Sequence, residues 1–284
     1  MTKGMKLSFT NPAADIAPYI AAYYLIQFDY PRIVDIERAD VGYLRFMLSG
    51  HGEYVFASGA RITNAPVTLL GPSTETATYS LAGPLFSLGC VLRPAFWGGM
   101  VEATADAYAN RASDAAALFG TGVNDLFEQM MATADVHEMA HMVDAFLRPR
   151  IRPLAPDQLA VIDAIGDWLD NIPIATPDAL YANCQQSPRQ VMRIANRYFG
   201  APPKLLARKF RALRTASKIL GTRGQVPEHL VNDYADRAHM SREIKIFTGL
   251  TPRALQINSS PIMQVTLYPE NFNAMAPWGG RQSL

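Results

Sequence analysis

One pattern of residues occurs twice in this 284-residue chain, 49 positions apart, and it limits the fold more than any other feature. The first copy, residues 187–203, reads SPRQVMRIANRYFGAPP; the second, residues 238–252, reads AHMSREIKIFTGLTP. Aligned on their ends, Gly200 matches Gly249, Pro203 matches Pro252, Arg193 matches Arg242, and Tyr198 matches Phe247. Each copy predicts a short basic helix stopped by glycine, the residue that adopts a left-handed C-cap with least strain. Pro203 and Pro252 then suit the first turn of a following helix, where a missing N–H is harmless. The repeat predicts two like helical units.

Charge gathers on the same stretch. Residues 184–253 hold fourteen Lys and Arg against four Asp and Glu, a net of +10. The rest of the chain carries −9, so a whole-chain balance of +1 conceals a basic module joined to an acidic one. A clustered positive field binds polyanions through counterion release. A single basic helix is more often a solvated face. Two of them inside a repeated helix–glycine–proline pattern point to double-stranded DNA, with each helix entering a major groove.

The other global features are permissive. The length suits about two domains, and 49% hydrophobic residues suffice for two cores. Cys90 and Cys184 are far apart and form no CxxC pair, which fits a reducing cytosol and argues against a disulfide framework or structural zinc. No signal-peptide pattern opens the chain, and no apolar run reaches the roughly 18 residues of a membrane helix. A soluble, cytoplasmic protein is expected, without a cofactor and without a membrane partner.

The chain divides in two. Residues 41–99 show short apolar runs separated by Gly, Pro and Ser, predicting strands at 43–48, 53–57, 66–70, 76–81 and 85–92. Such strands suggest a small sandwich or barrel. Residues 13–26, 123–133 and 136–147 read as flanking helices. Residues 149–156, with three prolines, read as a linker. Beyond it the pattern is helical. Residues 157–170 carry an amphipathic stripe of Leu159, Ile162, Ile165, Trp168 and Leu169. Thr176-Pro177 and Ser187-Pro188 are paired start signals, each an N-cap followed by proline. They give a short helix, a turn at 184–186 and the first basic helix: a helix-turn-helix. Residues 205–220 form a longer connecting helix. The tail, residues 256–284, lacks a clear period and is expected to be irregular.

Residues 176–255 resemble the DNA-binding domain of the AraC/XylS family of bacterial transcriptional regulators. The second block carries the more specific match: Tyr234, Asp236, His239, Arg242, Lys245, Gly249, Thr251 and Pro252 follow the family pattern Y-x-D-x-x-H-x-x-R-x-x-K-x-x-x-G-x-T-P. The resemblance implies an α+β protein. An N-terminal cupin-like β-barrel sensor or dimerisation domain with flanking helices (residues 1–148) would precede, through the 149–156 linker, an all-α domain of two helix-turn-helix units (157–255). By position it implies that Arg189, Met192, Arg193 and Asn196 on the first recognition helix face DNA bases, as do His239, Arg242 and Lys245 on the second. Arg189 and Arg193 are four apart and share a helix face, and a guanidinium can take both acceptors of a guanine. Arg197, Lys204, Arg208 and Lys209 are read as phosphate contacts, which position without specifying sequence.

Alternatives stand beside these roles. Arg242 could instead bridge to Glu243 or Asp236, and the spacing of Asp236 and His239 fits a capping arrangement. The chain also departs from the family: only residues 228–233 precede Tyr234, with no glycine turn, so the first helix of the second unit is expected to be shortened.

Two decoys occur. His137-Glu-Met-Ala-His141 satisfies the HExxH pattern of zinc peptidases, yet Asp144 breaks the extended motif and a third ligand is missing, so chance on an amphipathic helix explains it better. The predicted strand region, residues 41–99, holds only His51, which disfavours a cupin metal site. Phe56, Tyr79, Phe86, Phe96 and Trp97 could line a small-molecule pocket or serve as plain core. Met130, Met131, Met139 and Met142 suit either core or a dimer contact. The expectation is therefore a non-enzymatic, sequence-specific regulator, controlled by a small-molecule effector or by homodimerisation. A constitutive DNA binder and a metalloenzyme are the alternatives.

Overall fold

The computed structural model describes residues 5–171, 176–222 and 226–277. Its N-terminal part is an antiparallel sheet of eight strands: β1 (Met5–Thr10), β2 (Ile20–Phe28), β3 (Arg32–Glu37), β4 (Tyr43–Phe56), β5 (Arg61–Thr63), β6 (Val67–Leu70), β7 (Ala77–Leu92) and β8 (Ala112–Asp114). The strand order is β1-β2-β7-β4-β6-β8, with β3 also paired to β7 and β5 to β4.

The long strands β4 and β7 form the spine. Each was expected as two short strands, with Ser49-Gly50 as the turn inside β4. Instead the β4–β7 register shifts between Met47 and Ser49 and again between Ser49 and His51, so the pair bends without ending. Gly50, at φ 91°, supplies the backbone conformation that the bend needs. The two halves of β7 then serve different neighbours: Ala77–Ala82 pairs with β3, and Leu85–Leu92 pairs with β2.

Residues 13–26, expected as a helix, instead make a turn and enter β2. The run IAAYYLIQF is apolar enough for either state, and periodicity alone does not separate them. Tertiary packing decides it. Tyr24 lies over Gly89 of β7, where even a Cβ would come within 2.0 Å of the ring.

Three single-turn helices follow or interrupt the last strands: α1 (Phe96–Gly99), α2 (Ala105–Tyr108) and α3 (Ala116–Phe119). Helices α4 (Gly122–Met130) and α5 (Val136–Leu147) cover one face of the sheet. Asp144 of α5 is buried there, accepting from the Tyr23 hydroxyl at 2.6 Å and the Ala13 amide at 2.9 Å. Met130 and Met139 are core, Met142 is half-buried and Met131 is exposed.

The C-terminal part is helical: α6 (Pro156–Asp170), α7 (Pro177–Asn183), α8 (Pro188–Phe199), α9 (Pro203–Gly221), α10 (Arg237–Thr248) and α11 (Pro252–Asn258). The tail corrects the expectation of irregular structure. It forms α12 (Pro261–Leu267) and α13 (Pro269–Ala274). The Ser260 hydroxyl accepts the Met263 amide at 3.0 Å and Pro261 opens the helix, the same start signal that opens α7 and α8. Seven residues are too few for the amphipathic period to stand out.

One large apolar core joins the sheet, α4–α8 and the first half of α9. A separate, smaller cluster holds Ala216, Ile219, Leu230, Tyr234, Ile244 and Leu255 together with Met263 and Leu267 of α12. Among the described residues no helix is long and apolar enough to cross a membrane.

Candidate nucleic-acid interface

Helices α8 and α10 are built alike. Each has twelve residues. Ser187 caps α8 by accepting the Gln190 amide at 3.3 Å, and Asp236 caps α10 by accepting the His239 amide at 2.6 Å. This amide bond holds the Asp236 carboxyl below the usual carboxylate range. Both helices end on a left-handed glycine, Gly200 at φ 79° and Gly249 at φ 78°, and a proline-led helix follows each. The buried positions correspond one to one at the 49-residue offset: Val191 with Met240, Ile194 with Glu243, Ala195 with Ile244, Tyr198 with Phe247, and Phe199 with Thr248. A common buried face leaves a common outer face.

That outer face carries most of the expected base-reading residues. Arg189, Met192 and Arg193 are exposed on α8, and Asn196 is half-buried. Met192 keeps 43% of its surface exposed. Arg193 accepts restraint from its own helix, its Nε donating to Gln190 at 3.2 Å. On α10, Arg242 and Lys245 are exposed at the positions matching Arg193 and Asn196. His239 is half-buried; its Nδ1 accepts the Ala235 amide at 3.3 Å and its ring packs edge-on against Tyr234. Of the expected phosphate contacts, Arg197 and Lys204 are exposed, with Arg197 near the Tyr198 ring.

The other two expected phosphate contacts need correction. Lys209 is 1% exposed, and its ammonium donates to the backbone carbonyls of Asp40 at 2.9 Å and Ser73 at 3.0 Å. It ties α9 to the sheet region and does not reach solvent. Burial pulls its pKa down to about 7; Asp40 opposes that shift and Arg38 adds to it. Arg208 makes a two-pronged bond to Glu243, at 3.1 and 2.8 Å. Glu243 is buried on the inner face of α10, so this pair braces α10 against α9. Helical spacing marked both residues as basic but gave no sign of which side of α9 the sheet occupies.

The two units differ in what precedes α8 and α10. The first has a true leading helix, α7. In the second, the described residues between α9 and Tyr234 form a single 3-10 turn, Glu228–Leu230, consistent with the few residues available there.

A second feature lies on the face of the sheet turned toward the helices. A cavity of about 70 Å³ opens there, walled by Tyr24, Tyr43, Arg45, Tyr54, Tyr79 and Ser87. Arg45 forms its polar centre. It donates to both Glu37 oxygens at 2.8 and 2.9 Å, to the Tyr24 hydroxyl at 3.2 Å and to the Tyr54 hydroxyl at 3.1 Å. Burial raises the Tyr24 pKa to about 12, so this hydroxyl stays protonated. Among the five aromatic residues that the sequence offered for a pocket, Tyr79 lines this cavity, Phe56, Phe96 and Trp97 are buried core, and Phe86 is half-buried. Arg45 and Glu37 carried no warning in sequence, because the strand pairing that joins them is non-local.

The HExxH residues sit on the outer side of α5. His137 accepts or donates to Thr10 Oγ1 at 2.9 Å, Glu138 bonds Thr133, and His141 is exposed. Among the described residues no group of three His, Cys, Asp or Glu is placed to hold a metal.

No family model and no curated protein matches the sequence. Among solved structures, ToxT from Vibrio cholerae bound to (E)-4-(8-methylnaphthalen-1-yl)but-3-enoic acid is similar at 10% identity and a TM-score of 0.47, covering 92% of this chain and 100% of that one. ToxT bound to an unsaturated fatty acid is similar at 9% identity and a TM-score of 0.45, covering 79% and 94%. The AraC-like transcriptional activator CuxR is similar at 11% identity and a TM-score of 0.24, covering 68% and 80%. These are loose superpositions, and the chain's own residues carry the functional reading.

Proposed function

We propose that this chain is a sequence-specific DNA-binding transcriptional regulator of the AraC/XylS type, acting in the cytoplasm as a binding protein and not as an enzyme. The observation that carries the reading is the one-to-one match of buried positions in α8 and α10, which turns Arg193 and Arg242 outward on equivalent helices. Arg189, Met192, Arg193 and Asn196 read bases through the first helix; Arg242 and Lys245 do so through the second, with His239 orienting its start. Arg197 and Lys204 contact phosphate. The cavity on the sheet holds a small-molecule signal. Occupancy then shifts the placement of the helical region, which requires that the signal bind one placement more tightly than the other.

Binding to duplex DNA at several salt concentrations tests the reading. Each phosphate neutralised should add about −0.9 to the slope of log affinity against log salt. A steep negative slope, made shallower by removing Lys204, supports the assignment. Affinity that is absent at low salt contradicts it.

A further inference from the structure

The C-terminal extension closes the sheet cavity. Ile262, Met263 and Thr266 of α12 and Met275 after α13 form the wall opposite the sheet. The extension is fastened on both sides. The Ser260 hydroxyl bonds the Asp35 carboxylate of β3, Arg93 after β7 donates to the Pro277 carbonyl at 2.6 Å, and Arg38 lies 5.7 Å from the Phe272 ring. On its other side α12 packs on α9, and Met263 and Leu267 belong to the small core that also holds Met240 and Ile244 of the second recognition helix. A single seven-residue helix therefore touches both the cavity and the core of the second DNA-reading unit.

The charges of the cavity are already spent on each other. Arg45 is paired with Glu37, and Arg38 with Asp40, whose carboxylate also accepts from the Tyr43 hydroxyl at 2.6 Å. A charged occupant would have to enter without a counterion or break one of these pairs, and either leaves a buried ion uncompensated. What remains on offer is hydrogen-bond donation from groups whose charge is balanced or absent: Arg38 Nε, on the guanidinium paired with Asp40, is buried without a partner. Ser87 Oγ is buried without a partner, between the paired positions of Met47 and Ile26. The oxygens of Tyr24 and Tyr54 accept from Arg45, which leaves their O–H groups to donate. Size adds a condition. A dry cavity of about 150 Å³ admits benzene, so one of about 70 Å³ admits nothing of ring or chain size unless a wall moves. The sheet is held by its ladders; α12 is the short element.

We infer that the cavity takes a small uncharged molecule, with an apolar body and a hydrogen-bond acceptor such as an ester or ketone, and that it enters by displacing α12, which transmits occupancy to the second recognition helix. The site's role as a sensor rests on the regulator reading above; the ligand class and the moving element rest on the cavity itself.

The test uses the full chain with methyl hexanoate, hexanoate and hexylammonium as probes, read by calorimetry and by amide hydrogen exchange. Methyl hexanoate should bind at least about tenfold more tightly than either charged probe, because only the charged ones leave an ion unpaired. Ser87→Ala should weaken methyl hexanoate by about fivefold, one neutral hydrogen bond, with the fold intact. Residues 261–267 should lose exchange protection when the probe saturates. Equal or tighter binding of hexanoate, failure of all three probes, or unchanged protection of 261–267 overturns the inference. Duplex affinity of the probe-free protein, measured in parallel, fails only if the regulator reading fails.

Discussion

Helices α8 and α10 share a design but not a foundation. Helix α8 rests on the large core: Tyr198 and Phe199 pack with residues of the sheet region, and Gly200 meets Pro72 so closely that a Cβ would lie 2.6 Å from its ring. Helix α10 rests mainly on the small cluster shared with α9, α11 and α12, and it touches the sheet at its C-cap, where the Ala39 amide donates to the Phe247 carbonyl at 2.8 Å and Gly249 meets Ile36. The first unit is built into the body of the protein; the second rests chiefly on the smaller cluster. Local stability follows buried apolar contact, and elements that switch come from its lower end.

The largest effect should separate these foundations. Ile194→Ala and Ile244→Ala each truncate a buried side chain and should cost about 2–5 kcal/mol. Denaturant unfolding of Ile194→Ala should shift as one transition. Ile244→Ala should instead lose exchange protection across α10 and α12 before the sheet is affected. A single shared transition in both variants would erase the distinction.

Next in size are the two arginines proposed to read bases. Arg193→Ala should lose about 1–3 kcal/mol of affinity for the cognate site and relax its sequence preference. Arg242→Ala should lose less, because among the described residues a single 3-10 turn, Glu228–Leu230, leads into the second unit to fix its pose. A larger loss from Arg242→Ala would invert the ranking of the two units.

The brace on α10 comes third. Arg208→Ala uncovers buried Glu243, but Arg208 itself is 40% exposed, so the loss should be about 1–2 kcal/mol rather than that of a fully buried pair. Thermal unfolding of the variant checks the size, and exchange checks that the loss is centred on α10.

Lys209 joins the helical region to the sheet, and its pH signature is directional. Its folded pKa, about 7, lies below the ordinary lysine value. Between the two the unfolded chain holds a proton that the folded chain has released, so stability rises with pH from about 7 upward. Below about 7 the side chain is charged in both states and its contribution is at its minimum. The urea midpoint should rise between pH 7 and pH 9, and Lys209→Met should flatten that rise. The smallest effect belongs to Lys204→Ala, which should weaken all duplexes alike and reduce the salt slope by about 1.

Much of the helical region was legible because its signals are local. Ser187-Pro188, Gly200 and their counterparts in the second copy fix helix ends within a few residues of chain, and the structure places caps on each. The sheet was less legible. Five strand positions stood out, but β1, β3, β5 and β8 did not, and β2 read as a helix; β2, β3 and β8 pair with strands far off in sequence, and β5 is only three residues long. The interface was legible by composition and not by orientation: Arg193 and Arg242 point outward as their spacing implies, whereas Lys209 is turned inward by a sheet edge that nothing in α9 encodes. The cavity was nearly silent, since Arg45 and Glu37 meet through strands β3, β7 and β4.

The most direct measurement is selection of duplex sites from a random pool by the full-length protein. Two reading helices of equivalent build predict a bipartite site, its elements about 10 base pairs apart and the element read by α8 the stronger. Recovery of no preferred sequence, in the presence and absence of a cavity ligand, would contradict the claim that these helices read DNA.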